Sequence, residues 1–357
     1  MALPARSEYA PPISLPIKQY WPLLVPSVIV LGLIVRSAWV AEDAYITLRT
    51  IDNWLGGDGL RWNVSERVQA YTHPLWMLAL SAVYALLRDG FAAAALLGVF
   101  TSVAALLVLV RLARSTGHAF GALLLLAFSR SFIDFSTSGL ENPLSHLLIA
   151  TFCLCYAVRG DALWRLSGLA SLIALNRADA VLLIAPALAH AAYLSLQQRG
   201  ARRTALELAW GAIPLLVWEA FSLFYYGTLV PNTAFAKLNT GVSRSELLVQ
   251  GAIYLRDALS WDPPVLLIIA LGLGFAWNGR SSQLRWIGLG ILLYLLYIVR
   301  IGGDFMVGRF LTVPLFAAAC VIARARAPRS SSLSTSRSCS RHSRCSGCTR
   351  TLLNAGR

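Results

Sequence analysis

Residues 91–111 read FAAAALLGVFTSVAALLVLVR, so twenty uncharged and mostly apolar residues precede the first charge, at Arg111. A helix that crosses the hydrocarbon core of a bilayer needs about 20 such residues. The stretch therefore predicts a membrane-spanning helix that ends in a basic residue.

The composition of the whole chain agrees with a membrane setting. Only 13% of the 357 residues are charged, whereas 57% are hydrophobic. Soluble domains carry about 25% charged residues, and one globular core could not bury this much apolar surface. The formal net charge of +14 does not indicate a nucleic-acid partner, because no basic helix or interleaved aromatic array accompanies it.

Nine further apolar segments are candidate spans, and we predict an all-α, polytopic transmembrane bundle of about ten spans. The first segment could be a signal peptide, but Trp39 stands where cleavage before Glu42 needs a small residue, so an uncleaved helix is expected. The segment Pro74–Leu87 is short and is predicted to be interfacial or re-entrant. The nine segments are 21–40, 119–136, 143–158, 166–175 (short enough for a half-helix), 179–196, 205–224, 264–277, 284–300 and 309–323.

The distribution of charge between loops predicts the orientation. Arginines mark the cytoplasmic side of a membrane protein. If the amino terminus lies inside, nine arginines of the predicted short loops fall on that side and most acids fall outside. We therefore expect a bacterial inner-membrane protein whose acidic loops face outward. The inner arginines are Arg111, Arg114, Arg159, Arg165, Arg199, Arg202, Arg203, Arg280 and Arg285.

The end of the chain differs from the rest. Residues 1–323 form the predicted transmembrane domain, whereas 324–357 contain eight arginines, no acid and many serines. We expect this tail to be disordered, or to be a frame-shifted end. Its Cys345-x-x-Cys348 spacing, with His342 nearby, matches half of a zinc-binding motif. The surrounding sequence has no hydrophobic core that could hold the ligands in place. No metal site or cofactor is predicted, although a need for a divalent cation is left open.

An acid pair stands at the predicted exit of the first helix, where residues 41–45 read Ala-Glu-Asp-Ala-Tyr. A partly desolvated carboxylate at the membrane surface has a raised pKa and can act as a general base. Repulsion between Glu42 and Asp43 would raise the pKa of one of them. The alternative is that two acids end a helix and hydrate an outer loop.

Two more polar patches interrupt apolar sequence on the same predicted face. Glu141 starts a helix, so complementing the helix dipole is its alternative role. Arg177 and Asp179 place opposite charges inside an apolar run. Ionisable residues at membrane depth are candidate functional residues, but a buried structural ion pair is the alternative here.

The last two patches carry basic residues. Lys237 follows Asn232 closely and is one of two lysines in the chain, with a solvated loop charge as its alternative role. Asp304 and Arg309 lie in the glycine-rich segment 302–309, next to a predicted helix. Backbone amides and a guanidinium at such a place can bind a phosphate.

Together and in this order, the five patches resemble the GT-C superfamily of membrane glycosyltransferases, in particular the family of cell-wall arabinofuranosyltransferases and flagellar motor control proteins. The resemblance covers about residues 41–309. The matching motifs are the acid pair with Ala-Tyr, Gly-Leu-Arg-Trp-Asn at 59–63, Glu-Arg-Val-Gln-Ala-Tyr-Thr-His-Pro-Leu-Trp at 66–76, Gly-Leu-Glu at 139–141, Pro-Asn-Thr at 231–233 and Gly-Gly-Asp-Phe-Met-Val-Gly-Arg at 302–309.

The sequence departs from the family pattern in three ways. The family's first acid is an aspartate, and here it is Glu42, so Asp43 is the stronger candidate. Arg177-Ala178-Asp179 stands where the family has Arg-Pro-Glu, which keeps both charges. The family also continues past Arg309 with further membrane helices and an outer soluble domain.

The resemblance implies an inverting transferase with catalytic loops on the outer face. It would move a sugar, with arabinofuranose as the candidate, from a polyprenyl-phosphate donor to a cell-envelope glycan or protein. Asp43 would be the general base, with Glu42 beside it, and Trp62 and Trp76 would stack on sugars or belong to an interfacial belt. The implied donor-phosphate residues are Arg309, Lys237 and Arg177, and the implied substrate contacts are Tyr45, Tyr71, His73, Glu141, Asp179, Asn232 and Asp304.

Three other functions are alternatives to a glycosyltransferase. A transporter would more often show internal repeats and charges at mid-membrane depth, whereas this chain shows no repeat and carries its charges at helix ends. A membrane scaffold does not need acids clustered on one face. An inactive, truncated remnant of a transferase is the third alternative.

Overall fold

The computed structural model describes residues 21–159, 162–232, 241–279 and 281–325, and the regular structure in these ranges is entirely helical. This confirms the predicted all-α class. Lys237 and residues 326–357 of the predicted tail lie outside the described residues, whereas Arg324, the first residue of that tail, is the last residue of a helix. The helices are α1 Trp21–Arg36, α2 Glu42–Gly56, α3 Pro74–Leu87, α4 Gly90–Leu112, α5 Thr116–Phe128, α6 Arg130–Asp134, α7 Asn142–Leu154, α8 Leu163–Asn176, α9 Val181–Arg199, α10 Ala201–Tyr226, α11 Arg244–Trp261, α12 Pro263–Asn278, α13 Ser282–Ile301 and α14 Thr312–Arg324.

Fewer helices than predicted are long and apolar enough to cross a membrane alone. Four described segments meet that length, and a fifth does so if α11 and α12 count as one span. The predicted total of about ten spans is therefore not confirmed, although the membrane bundle itself is. Four shorter apolar helices accompany these spans. The four long segments are Gly90–Leu112, Ala178–Arg199, Ala201–Tyr226 and Ser282–Ile301.

Helix α2 corrects the expectation that the acid pair lies in a loop. Glu42 and Asp43 form the first turn of this helix, where carboxylates are favourable next to the positive end of the helix dipole. Its buried residues include Ala44, Leu48 and Ile51, whose spacing gives one apolar face. The catalytic candidate is therefore held by a helix that packs on α3.

Two other elements also differ from the sequence expectation. The predicted span 119–136 is broken at Ser129, whose hydroxyl accepts a hydrogen bond from the Phe132 amide and caps α6. Helix α11 was not predicted, because Arg244–Trp261 has low hydrophobicity for a span. It meets α12 at a bend of 107° just before Pro263, where proline cannot continue the preceding helix.

Helix α14 lies at the centre of the hydrophobic core. All of its residues except Ile322 and Arg324 are buried, and it packs against α4, α5, α7, α12 and α13. Because this helix is buried on every side, it is a rigid support for the segment that precedes it, Gly302–Leu311.

Small residues allow close helix contacts elsewhere in the bundle. A side chain at Gly211 of α10 would collide with Ser167 of α8, so the two backbones approach closely there. Such contacts drive helix association in lipid, where the hydrophobic effect between helices is absent. The rest of α10 exposes large apolar side chains, as expected of a surface that faces lipid; examples are Trp210, Leu216, Val217 and Phe224.

Candidate active site

Seven of the predicted site residues meet in one connected network, which we call the acid–arginine cluster. They come from the start of α2, the residue before α3, the residue before α7, the turn between α8 and α9, and the segment between α13 and α14. Distances between side-chain nitrogen and oxygen atoms of neighbouring members are at most 3.5 Å. The members are Asp43, His73, Glu141, Arg177, Asp179, Asp304 and Arg309.

A left-handed glycine brings Glu141 against α2. Gly139 has φ of 75°, and a Cβ there would lie 2.8 Å from the Cβ of Ala44. A side chain would thus be both strained and crowded at this position. Next to it, the Ala41 amide donates to the Ser138 carbonyl at 2.8 Å, and the Trp76 indole donates to the Gly139 carbonyl at 2.9 Å.

The segment between α13 and α14 depends on glycines in the same way. Gly303 and Gly308 have φ of 76° and 84°, and a side chain would collide with Tyr254 or Ser131 respectively. The Asn142 amide then donates to the Arg309 carbonyl at 3.1 Å and to the Thr312 hydroxyl at 2.8 Å. These contacts fix Arg309 at the buried end of α14.

Arg309 contacts three carboxylates from three different parts of the chain. Its Nη1 lies 3.3 Å from Asp43 Oδ2 and 3.5 Å from Asp304 Oδ2, and its Nη2 lies 3.4 Å from Glu141 Oε1. The buried Nε atom makes no hydrogen bond to a described residue. These contacts are longer than those of the best charge-assisted pairs, which are about 2.7–2.9 Å. Arg309 therefore contacts three acids, but none of them at the distance of a strong charge-assisted hydrogen bond.

Arg177 is held much more tightly. It makes a two-point contact with Asp179, at 3.0 Å and 2.6 Å, and its Nη1 lies 3.2 Å from Glu141 Oε1. The Tyr294 hydroxyl donates to Asp179 at 2.9 Å, and the guanidinium lies over the Phe310 ring at 4.6 Å. Arg177 is buried and its charge is matched, which agrees with the structural alternative considered for this pair.

Glu141 joins the two arginines and is ionised. Burial alone would raise its pKa, but the neighbouring charges, that of Arg309 above all, outweigh burial and lower the pKa to about 2. The Asn176 amide also donates to the Glu141 carbonyl at 3.0 Å. Glu141 is therefore a fixed negative charge that orients both guanidinium groups.

His73 lies at the inner edge of the cluster. Its Nδ1 is 3.4 Å from Glu141 Oε2, and its Nε2 is 2.9 Å from the Thr47 hydroxyl. Burial lowers the pKa of His73, and although Glu141 opposes this, Arg309 and Arg177 lower it further. We conclude that the imidazole is neutral near pH 7, so its contact with Glu141 is not an ion pair.

Asp43 is the most accessible acid of the cluster. Its side chain is 33% exposed, compared with 4% for Glu141, 8% for Asp304 and 16% for Asp179. Four carboxylates face two guanidinium groups, so the cluster carries excess negative charge. An accessible carboxylate beside a cation can accept a proton from an incoming hydroxyl, and the cation can stabilise an adjacent anion.

Other predicted site residues lie outside the cluster. Glu42 is exposed and Tyr45 is 57% exposed, both on α2. Tyr71 is buried, and its hydroxyl lies 2.9 Å from that of Tyr226, so its contacts in this structure are those of a core residue. Asn232 is exposed after α10. Substrate contacts for these residues stay predictions.

The tertiary structure adds residues that sequence reasoning missed. Tyr294 lies within the apolar α13, Thr47 lies on the buried side of α2, and the Asn142 amide fixes the Arg309 backbone. A hydroxyl inside an apolar helix needs a polar partner, which is the signal that could have found Tyr294. Among the described residues, no group of three or more His, Cys, Asp or Glu side chains could hold a metal ion.

Comparison with known proteins supports the motif assignment. The chain is 31% identical to a terminal β-(1→2)-arabinofuranosyltransferase of Mycobacterium tuberculosis, over 81% of this chain and 52% of that protein. It is 30% identical to the protein of the same name in Corynebacterium glutamicum, over 78% of this chain and 47% of that protein. The chain thus spans about half the length of the curated relatives it matches.

No protein-family model and no solved structure matches the chain. The two relatives carry the name of the family that the motifs of residues 41–309 predicted, and the alignments cover most of this chain. The predicted resemblance is therefore confirmed. The chain is a homologue of the terminal arabinofuranosyltransferases, a GT-C family of cell-wall enzymes.

Proposed function

We propose that this chain is a membrane glycosyltransferase that transfers a sugar from a polyprenyl-phosphate donor to a cell-envelope glycan or glycoconjugate. The names of its relatives make arabinofuranose the candidate sugar. The single observation that carries the proposal is the contact of Asp43, the most accessible acid of the cluster, with Arg309.

The proposed step is a displacement at the anomeric carbon. The acceptor hydroxyl oxygen forms the new bond to this carbon as the bond to the phosphate oxygen breaks, with inversion of configuration. Asp43 takes the hydroxyl proton, which makes the oxygen a better nucleophile. The electron pair of the broken bond leaves with the polyprenyl phosphate.

Arg309 is proposed to bind the donor phosphate. A guanidinium matches phosphate oxygens in a two-point geometry, and its contacts with Asp43 and Asp304 are long enough for a phosphate to replace them. Loss of the Arg309 contact would free Asp43 at the moment when the donor is in place. Donor binding would thus prepare the general base.

The buried part of the cluster supports these two residues. Glu141 contacts both Arg309 and Arg177, and Asp179 and Tyr294 hold Arg177 in turn. Groups that are already oriented lose little free energy to reorganisation during the reaction. Arg177 is therefore proposed to contribute positive potential rather than a direct phosphate contact.

The setting of the site is also a proposal. The arginine pattern supports an inner-membrane location with the cluster facing outward. Lys237 and Asn232 are proposed as further donor contacts, since they belong to one motif of the family resemblance. No metal or cofactor is proposed for the reaction.

The decisive experiment compares two acid variants of the full chain in nanodiscs. The assay is transfer of arabinofuranose from a synthetic polyprenyl-phosphate donor to an arabinan oligosaccharide. Asp43→Asn should reduce turnover about 10²-fold or more, the usual scale for loss of a general base, while donor binding persists. Glu42→Gln, which removes the adjacent exposed carboxylate, is the matched control and should cost much less.

Three outcomes would contradict the proposal. Near-normal turnover of folded Asp43→Asn would remove Asp43 from the mechanism. A folded parent chain that binds the donor but transfers no sugar to any acceptor would favour the inactive-remnant alternative. A parent that does not bind the donor at all would favour a scaffold.

A further inference from the structure

A polar cavity lies at the other end of the helices that carry the acid–arginine cluster. It has a volume of about 100 Å³ and is lined by residues of α8, α9, α13 and the turn that follows α7. The cluster occupies the opposite ends of α8 and α9, at Arg177 and Asp179. Along α8 the separation from Leu163 to Asn176 is about 20 Å at 1.5 Å per residue. The cavity is therefore not part of the candidate active site.

The polar groups of this cavity are held in place by contacts that the catalytic proposal does not use. His190 Nδ1 lies 2.9 Å from the Tyr156 hydroxyl, and the His190 ring stacks on Trp286 with centroids 5.2 Å apart. Gln283 donates to the Tyr156 carbonyl at 3.4 Å. When the Tyr156 hydroxyl donates to Nδ1, Nε2 of His190 carries the proton and can donate to an anion.

One arginine lines the cavity, and others lie on the neighbouring turns of the chain. Gln198 and Arg199 line it. Arg199 contacts Glu207 Oε1 through Nη1 at 2.9 Å, which leaves further N–H donors on a side chain that is 38% exposed. Glu207 is already shared with Arg203 at 3.3 Å and with the Leu163 amide at 3.0 Å. Further arginines on the adjoining turns are Arg165, Arg202 and Arg285. The described residues therefore give this region a positive potential.

Size and position indicate the kind of ligand. Sites for drug-sized molecules measure about 300–1,000 Å³, so a cavity of about 100 Å³ fits a single small polar group. It lies at the helix ends that the arginine pattern assigns to the cytoplasmic surface, which is where lipid phosphates are located. Basic pockets between transmembrane helices on this side bind anionic head groups.

We propose that the cavity between α8, α9 and α13 binds the phosphate of an anionic lipid head group, with Arg199, His190 and Gln198 as donors. The same chemistry would accept a soluble phosphate ester, so the source of the phosphate is part of the test. The site is independent of the transfer reaction proposed above. Its occupancy would stabilise the cytoplasmic ends of two helices that also carry the acid–arginine cluster.

The test measures the melting temperature of the full chain in nanodiscs of phosphatidylcholine with increasing phosphatidylglycerol. A saturable rise is expected, and Arg199→Gln and Gln198→Leu should each raise the half-saturating lipid fraction several-fold. Arg256→Gln removes an exposed arginine on α11, at 73% side-chain exposure, and is the matched control for general charge attraction. His190→Asn tests the interior donor.

Separate arms distinguish the source. Glycerol 3-phosphate and inorganic phosphate are added to pure phosphatidylcholine nanodiscs, and no comparable rise is expected. A rise with either that Arg199→Gln abolishes would keep the phosphate site but assign it to a soluble ester. Equal effects of Arg199→Gln and Arg256→Gln, or no saturable response to lipid or phosphate, would overturn the proposal.

Discussion

Nη1 of Arg309 lies 3.3 Å from Oδ2 of Asp43, although the two residues are 266 positions apart in the chain. The carboxylate is 33% exposed, whereas the guanidinium is 11% exposed. Asp43 is thus the partner nearer the surface. Arg309 lies behind it and is held by buried Glu141 and Asp304. This is the arrangement expected of a base that works beside an anion-binding group.

Arg309 is expected to be the main donor-phosphate contact. Arg309→Ala should weaken binding of a polyprenyl-phosphate sugar by about 1–3 kcal/mol, as for a hydrogen bond to a charged group. Arg309→Lys should recover only part of this loss, because an ammonium cannot make the two-point contact. Binding is measured by titration of the purified variants in nanodiscs.

Arg256→Ala is the control for that titration, because Arg256 is exposed on α11 and contacts the exposed Asp257. It should leave donor affinity unchanged. Unchanged donor affinity in folded Arg309→Ala would contradict the phosphate assignment.

The buried pair of Arg177 and Asp179 is expected to stabilise the fold. Asp179→Asn leaves a buried guanidinium with Glu141 as its remaining acidic partner and should lower the free energy of unfolding by about 3 kcal/mol. Tyr294→Phe removes one hydrogen bond to Asp179 and should cost about 1 kcal/mol. Unfolding by detergent titration measures both changes.

The exposed Arg256–Asp257 pair is the comparison for this measurement. Surface ion pairs contribute about 0–1 kcal/mol, so Asp257→Asn should have little effect. Equal losses for the Asp179 and Asp257 variants would show that burial of the first pair does not matter.

We expect the folded protein to lose stability on mild acidification because of His73. Its pKa in the folded protein is lowered below the ordinary value of 6.5, so below that pH the unfolded chain binds a proton that the folded chain does not. The free energy of unfolding should therefore fall as the pH drops below 6.5, approaching about 1.4 kcal/mol per pH unit until the folded pKa is reached.

The contribution of His73 is isolated by comparing the parent with His73→Gln between pH 7.5 and 5. The variant should show a shallower decline than the parent. His118→Gln, which removes one histidine outside the cluster, is the matched change. A His73→Gln profile that runs parallel to the parent would assign the dependence to other groups.

Orientation in the membrane is the fourth prediction. A cysteine at Asp58, on the acidic side, should react with an impermeant maleimide in intact cells. A cysteine at Arg202 should react only after the cells are opened. Among the described residues the native cysteines are Cys153, Cys155 and Cys320, and all three are buried. The tail adds Cys339, Cys345 and Cys348, so labelling of the unchanged chain sets the background for all six. Labelling of the Asp58 position only in opened cells would reverse the proposed topology.

The sequence alone was enough to predict a membrane protein, because an uncharged apolar segment must be about as long as the bilayer is thick to span it. It also singled out six of the seven members of the acid–arginine cluster, since a charge such as Arg177 inside an apolar run is costly and indicates a function. The seventh, His73, came from the family resemblance alone. Helix α2 was missed because it is too polar to be a span, although the spacing of Ala44, Leu48 and Ile51 carried its signal.

Only the tertiary structure decided which residues pair and which remain accessible. Glycines at 139, 303 and 308 let distant segments approach, and that approach places Asp43 beside Arg309. Tyr71 is buried by contacts with α10, where its hydroxyl meets that of Tyr226. Exposure and ion pairing depend on contacts between residues far apart in the chain, so local pattern cannot supply them. The residue types of the site were therefore predictable, but the division between an accessible acid and its buried supports was not.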